Sequence, residues 1–227
     1  MKGTAPSRWF HRRPYSLLAC WLLLAARFSS AEIIDRIAVS VGNRVITTSD
    51  IDREIRITAL LNGTQPDFSK AGKEATADRL IEQKLIRQEL ESSNYQMPDP
   101  GEVEPVLEKF KKEHYANEAE FRTALDAYGV TEQDVKDALL WQRAVLLFIN
   151  ARFRPSVDVG DKEVEEYLRK QVAAARAARP DEALDLEELR SQAEEAITAK
   201  RVDEAMNKWI EEARRRTRVY IRMEVFR

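Results

Sequence analysis

The sequence predicts a mostly α-helical protein with one small antiparallel β-sheet, built from an N-terminal hairpin and a C-terminal strand. Three observations carry this. Charged residues make up 33% of the 227-residue chain and only 7 residues are glycine, a balance suited to amphipathic helices with solvated outer faces. Apolar side chains recur at helical spacing through most of 49–153 and again through 186–213. Period-two alternation is confined to 37–47 and 218–226, and a lone strand at one end needs a partner, which the other end offers.

Residues 1–31 read as a secretory signal. Lys2, Arg8, Arg12 and Arg13 precede an apolar run from Tyr15 to Ala26, and small residues follow at Ser29, Ser30 and Ala31. The run is shorter than the about 20 residues a helix needs to cross a bilayer, so cleavage is expected between Ala31 and Glu32, with no stable membrane insertion afterwards. Leu17-Leu18-Ala19-Cys20 imitates a lipoprotein box, but the apolar run continues past Cys20, which argues against lipidation. Arg12-Arg13 is followed by Pro14 and supplies positive charge rather than a twin-arginine signal. The remaining 196 residues have a net charge of −7 and no cysteine, which disfavours nucleic acid as a partner and requires a fold without disulfides.

The elements follow in order. Ile37, Val39 and Val41 alternate before Gly42-Asn43, a pair able to take positive φ, and Val45-Ile46-Thr47 resumes a strand. Ser49, with Asp52 three residues on, is the expected N-cap of a helix carrying Ile51, Ile55 and Leu61. A second helix spans about 69 to 93 with Ala77, Leu80, Ile81 and Leu85 on one face. Asp99, Pro100 and Glu102 open a third, carrying Val103, Val106, Leu107 and Phe110, in which Pro105 marks a potential kink. Asn117 with Glu120 opens a short helix closed by Gly129. Thr131 with Asp134 opens a longer one, whose stripe Val135, Leu139, Leu146, Ile149 and Phe153 is expected to be buried. A further helix holds Tyr167, and the Ala/Arg stretch from Gln171 to Pro180 reads as a helix end and exposed linker. A last helix from Leu186 carries Ala193, Ile197, Val202, Met206 and Trp209, and the strand 218–226 is expected to turn Val219, Ile221, Met223 and Val225 toward a core.

The hairpin 33–47 running into Ser49-Asp50-Ile51-Asp52, followed by this order of helices and a closing strand, resembles the SurA-type periplasmic chaperones and related peptidyl-prolyl isomerases. The resemblance implies a division into a signal peptide, 1–31; a SurA N-terminal-like core, 32–170; a linker standing in place of the parvulin isomerase domain, 171–185; and a closing helix and strand, 186–227. A parvulin domain does not fit between Tyr167 and Leu186, and of the two histidines His11 lies in the signal and His114 in a polar helix end.

No other catalytic pattern stands out. The chain lacks a nucleophile elbow, a phosphate loop, an HExxH sequence and Cys/His metal spacing, so no catalytic residue, cofactor or metal ligand is assigned. Glu165-Glu166, Glu187-Glu188 and Glu194-Glu195 read as solvated faces, and Arg214-Arg215-Arg216 as complements to a helix C-terminus. Most aromatic residues read as core. Trp141 and Phe148 fall off the expected stripe of their helix and are the candidates for contact with a client chain.

The resemblance implies a periplasmic, non-enzymatic holdase for unfolded exported polypeptides, outer-membrane β-barrel precursors among them. Two alternatives stay open at this point: a peptidyl-prolyl cis-trans isomerase, and an assembly protein with one fixed partner bound at the C-terminal strand edge.

Overall fold

The computed structural model describes residues 35–93, 95–178 and 184–226. The expected signal and its cleavage point at Ala31 and Glu32 lie outside the described residues, as do 179–183 of the expected linker. Strands β1 (Ile37–Val41) and β2 (Arg44–Thr47) form a hairpin, and seven α-helices follow among the described residues: α1 (Thr48–Asn62), α2 (Lys70–Ser92), α3 (Val103–His114), α4 (Glu118–Tyr128), α5 (Glu132–Arg152), α6 (Asp161–Ala178) and α7 (Leu186–Arg216). Strand β3 (Val219–Ile221) closes the chain. The fold is therefore mostly α, with a three-stranded antiparallel sheet in the order β2-β1-β3 that joins the two ends of the described chain.

Gly42 takes a φ of 60° in the hairpin turn, a conformation that a Cβ would strain. A register shift between Ile37 and Val39 lets Ala38 and Val39 both bury completely against the helices. β2 then passes straight into α1, and this moves the expected cap. Thr47, not Ser49, is the N-cap: its hydroxyl accepts from the Asp50 N–H, and the Asp50 carboxylate accepts from the Thr47 N–H. Ser49 lies inside the first turn because its hydroxyl and its N–H are taken by Asp35, just before β1. The caps expected at Asn117 and Thr131 are present, as is Gly129 in the left-handed conformation at φ 65°. Asp99 and Glu102 cap a 3-10 turn, Pro100–Glu102, that leads into α3. Pro105 falls in the first turn of α3, where its missing N–H has no helical partner to lose, so it does not kink the helix.

The helices bury their stripes in three clusters. The main core lies under the sheet, where Val39, Val41 and Ile46 meet Ile51 and Ile55 of α1 and Ile81 of α2, and α5 and α7 complete it with Phe148 and Trp209. A second core joins Ile57 and Leu60 of α1 to Leu107 of α3, Phe121 of α4 and Val135 of α5. A third and smaller one, Val164 with Ala193 and Ile197, joins α6 to α7.

Helix α5 serves two of these cores, and that corrects its expected stripe. Its first turn faces the second core through Val135, and its last turns face the main core through Phe148, with Val145 and Ile149 half-buried against it. The buried face rotates along the helix, leaving Leu146 56% exposed and Phe148 1% exposed. The C-terminal strand is also shorter than expected. β3 pairs with Val39–Val41, and the last bond of the ladder runs from the Arg222 N–H to the Ala38 carbonyl. With no further partner the chain coils into a 3-10 turn, Met223–Phe226, which exposes Met223 and inserts Phe226 into the core.

Candidate functional site

A groove of about 670 Å³ opens between α1, α2 and α5. Its lining comes from all three helices: Ile57 of α1 belongs to the second core, while Ile86 of α2 and Trp141 of α5 pack with the main core. Its floor is apolar. Ile57 and Ile86 are buried, Leu61, Ala138 and Val145 are half-buried, and Leu146 stands at the mouth.

The rim is charged with both signs. Arg53, Arg79 and Arg87 face Glu54, Glu82, Asp134 and Asp137 around the opening. Several of these side chains hold one another. Gln83 Nε2 donates to Glu54 Oε1 at 3.1 Å, tying α2 to α1, and Arg53 Nε lies 3.9 Å from Asp134 Oδ1, tying α1 to α5. Burial pushes the Glu82 carboxyl above its ordinary value, with the nearby Arg214 opposing, and burial lowers Arg87. Both effects mark a groove wall poorer in water than the open surface. Asp134 is held low despite its burial, because the Thr131 hydroxyl and N–H and the Arg53 guanidinium favour its charged form.

The two candidate contact residues separate. Trp141 is half-buried, lines the groove and lies under Arg87, whose guanidinium carbon is 4.0 Å from its ring centroid. Phe148, about two turns further along α5, is enclosed by Tyr95, Phe153 and Trp209 at centroid distances of 5.2, 5.7 and 5.4 Å. The groove residues Arg87, Gln83 and Glu54 carried no signal in the sequence, since each is a common polar residue on an ordinary helix face.

Among the described residues, the other side chains weighed for chemistry lie apart from one another. His114 ends α3 with Nδ1 3.0 Å from the Phe110 carbonyl oxygen, exposed to solvent. Glu195 pairs with Arg154, and the Glu187 and Glu188 N–H groups donate to Asp185 at the start of α7. Among the described residues no group of three His, Cys, Asp or Glu side chains is placed to hold a metal ion, and no helix is long and apolar enough to cross a membrane. The arrangement can hold an apolar segment between charged walls; it offers no paired acid and base.

No family model matches the chain. A chaperone SurA from Alkalilimnicola ehrlichii is 25% identical over 158 residues, covering 67% of this chain and 36% of that protein. The chain is distantly similar to SurA chaperones. The match spans little more than a third of SurA's length, so the similarity concerns a part of that protein.

Proposed function

We propose that this protein is a periplasmic holdase, which takes short apolar stretches of unfolded exported polypeptides into the α1–α2–α5 groove. The observation that carries the reading is the groove itself: an apolar floor with an aromatic ring, open to solvent, and walled by charges of both signs. A volume of about 670 Å³ is within the usual range for ligand pockets and accommodates a few side chains rather than a folded partner. Contacts of that size are weak and exchange rapidly, as a holder that must release its clients requires. The distant similarity to SurA supports both the chaperone role and the periplasmic setting, and the signal-like residues 1–31 support export. Outer-membrane β-barrel precursors, with alternating apolar residues along each strand, suit such a groove. Residues 32–170 and 186–227 would then form one core, with 171–185 a connection within it.

The test is aggregation of a denatured outer-membrane porin, followed by light scattering on dilution with and without the purified protein. Suppression near stoichiometric ratios is expected. No suppression by folded protein would sink the holdase reading. Proline isomerisation is checked on a proline tetrapeptide, and no acceleration is expected.

A further inference from the structure

The outer edge of the sheet carries a second surface that shares no residue with the groove. Along β3 and its flanks Arg218, Tyr220 and Arg222 alternate with Val219 and Ile221. The first three are exposed, Tyr220 at 63%, while Val219 and Ile221 pack against the main core.

Main-chain bonding uses one side of this run only. The Gly42 N–H donates to the Arg218 carbonyl and the Arg222 N–H to the Ala38 carbonyl, each at 2.9 Å, and Tyr220 lies opposite Ser40 between them. In an antiparallel ladder these alternate residues direct their N–H and C=O groups toward β1, so those of Val219 and Ile221 point the other way. No strand pairs with that edge among the described residues. Exposed edges of this kind accept an added strand.

Charge selects what can add. Arg214 pairs with Asp78 at 2.8 Å. Arg215, Arg216, Arg218 and Arg222 are all exposed and make no ion pair among the described residues. Glu211 and Glu224 are the exposed acids nearest to them in sequence. A chain of net charge −2 thus gathers unneutralised positive charge beside the β3 edge, one of the two outer edges of its sheet. A second copy of this chain is a poor occupant, because antiparallel pairing of two β3 edges would set Arg218 against Arg222.

We propose that β3 is a docking edge for an extended acidic segment of another polypeptide, which joins the sheet as a fourth strand. The segment's residues opposite Val219 and Ile221 make the main-chain bonds. Those opposite Arg218, Tyr220 and Arg222 read acid, apolar, acid, which fixes the partner's pattern as acid-x-apolar-x-acid. The paired stretch is short, so the arginines supply much of the attraction and salt weakens it.

The test uses a fluorescent nonapeptide repeating Glu-Thr-Val-Thr, titrated with the purified protein and read by anisotropy. Its threonines fall opposite Val219 and Ile221. N-methylation of those threonines removes the bonding N–H groups and keeps the charge, and it is expected to weaken binding at least about tenfold. The double substitution Arg218→Glu with Arg222→Glu is expected to do the same, about tenfold or more, while suppression of porin aggregation stays unchanged. Equal binding of the methylated and unmethylated peptides would reduce the edge to a charge patch and overturn the proposal, using the unaltered protein. So would equal binding by a folded charge-reversed variant, or no peptide binding at all. Binding to vesicles of anionic phospholipid without peptide binding would reassign the arginines to a lipid surface.

Discussion

The Arg87 guanidinium carbon lies 4.0 Å from the centroid of the Trp141 ring, joining α2 to α5 at the wall of the groove. A cation over an indole face attracts it electrostatically, the more so when both are shielded from water. Here burial lowers Arg87 from its ordinary range without approaching neutrality. The pair therefore holds the indole in one orientation. Arg87→Met, which keeps the stem and removes the cation, is expected to cost about 1 kcal/mol of stability in urea unfolding. It is also expected to change the quenching of Trp141 fluorescence by acrylamide.

Trp141→Ala removes the largest apolar surface of the groove, so it is expected to raise the protein concentration needed to suppress porin aggregation by about tenfold. Phe148→Ala has a different signature. Its ring is 1% exposed among Tyr95, Phe153 and Trp209, so truncation leaves a cavity and is expected to cost about 3–5 kcal/mol. Thermal unfolding and light scattering together separate the two. Loss of holding by a Trp141 variant of near-parental stability marks a contact residue, and loss by Phe148→Ala that follows its unfolding marks a core residue.

The sequence disclosed what local chemistry decides. Asn117, Thr131 and Asp99 were legible as caps because a hydroxyl, amide or carboxylate stands three residues ahead of an acid, and each cap forms. The same rule failed at α1, where Thr47 with Asp50 and Ser49 with Asp52 both satisfy it. Asp35, fourteen residues earlier in the chain, engages Ser49 and leaves Thr47 to cap. No local pattern contains that choice. Leu146 and Phe148 were misordered for a related reason: a single 3.6-residue stripe describes a helix with one buried face, and α5 has a face that turns from one core to the other. The groove was illegible in detail because Arg87 and Trp141 meet only through the crossing of α2 and α5. Trp141 was singled out by its position off the stripe, Arg87 by nothing.

Gly72 offers a test of packing in which the usual sign reverses. Replacing glycine by alanine inside a helix ordinarily stabilises by about 0.5–1 kcal/mol. In the first turn of α2, however, a Cβ on Gly72 would collide with the Asp67 carbonyl oxygen and lie 2.6 Å from its carboxylate. Asp67 is itself engaged, accepting from the Ser69 N–H at 2.9 Å, so the loop before α2 has to move. Gly72→Ala is expected to destabilise by about 1–3 kcal/mol in urea unfolding. Gly160→Ala, where a Cβ meets nothing within 4 Å, is the matched control and is expected to change stability by less than about 0.5 kcal/mol.

Asp35 sets a pH dependence whose sign follows from its contacts. The Ser49 hydroxyl foremost, and then Thr47, with the Ser49 N–H and Thr48 hydroxyl, favour the charged carboxylate and hold it well below the usual range. Its folded value therefore lies below its unfolded value of about 3.9. The stabilisation is fully present above about pH 5 and is lost as pH falls through 4 toward the folded value. Asp35→Asn removes the charge and is expected to be less stable than the parent at pH 7, with the difference shrinking at pH 3. Asp67 and Asp134 are also held low by their hydrogen bonds and add to the acid limb of both proteins, so the informative quantity is the difference between variant and parent. Urea midpoints at the two pH values measure it. An equal difference at pH 7 and pH 3 would show that the Asp35 charge does not join β1 to α1, and that the hydrogen-bond geometry of the side chain alone does.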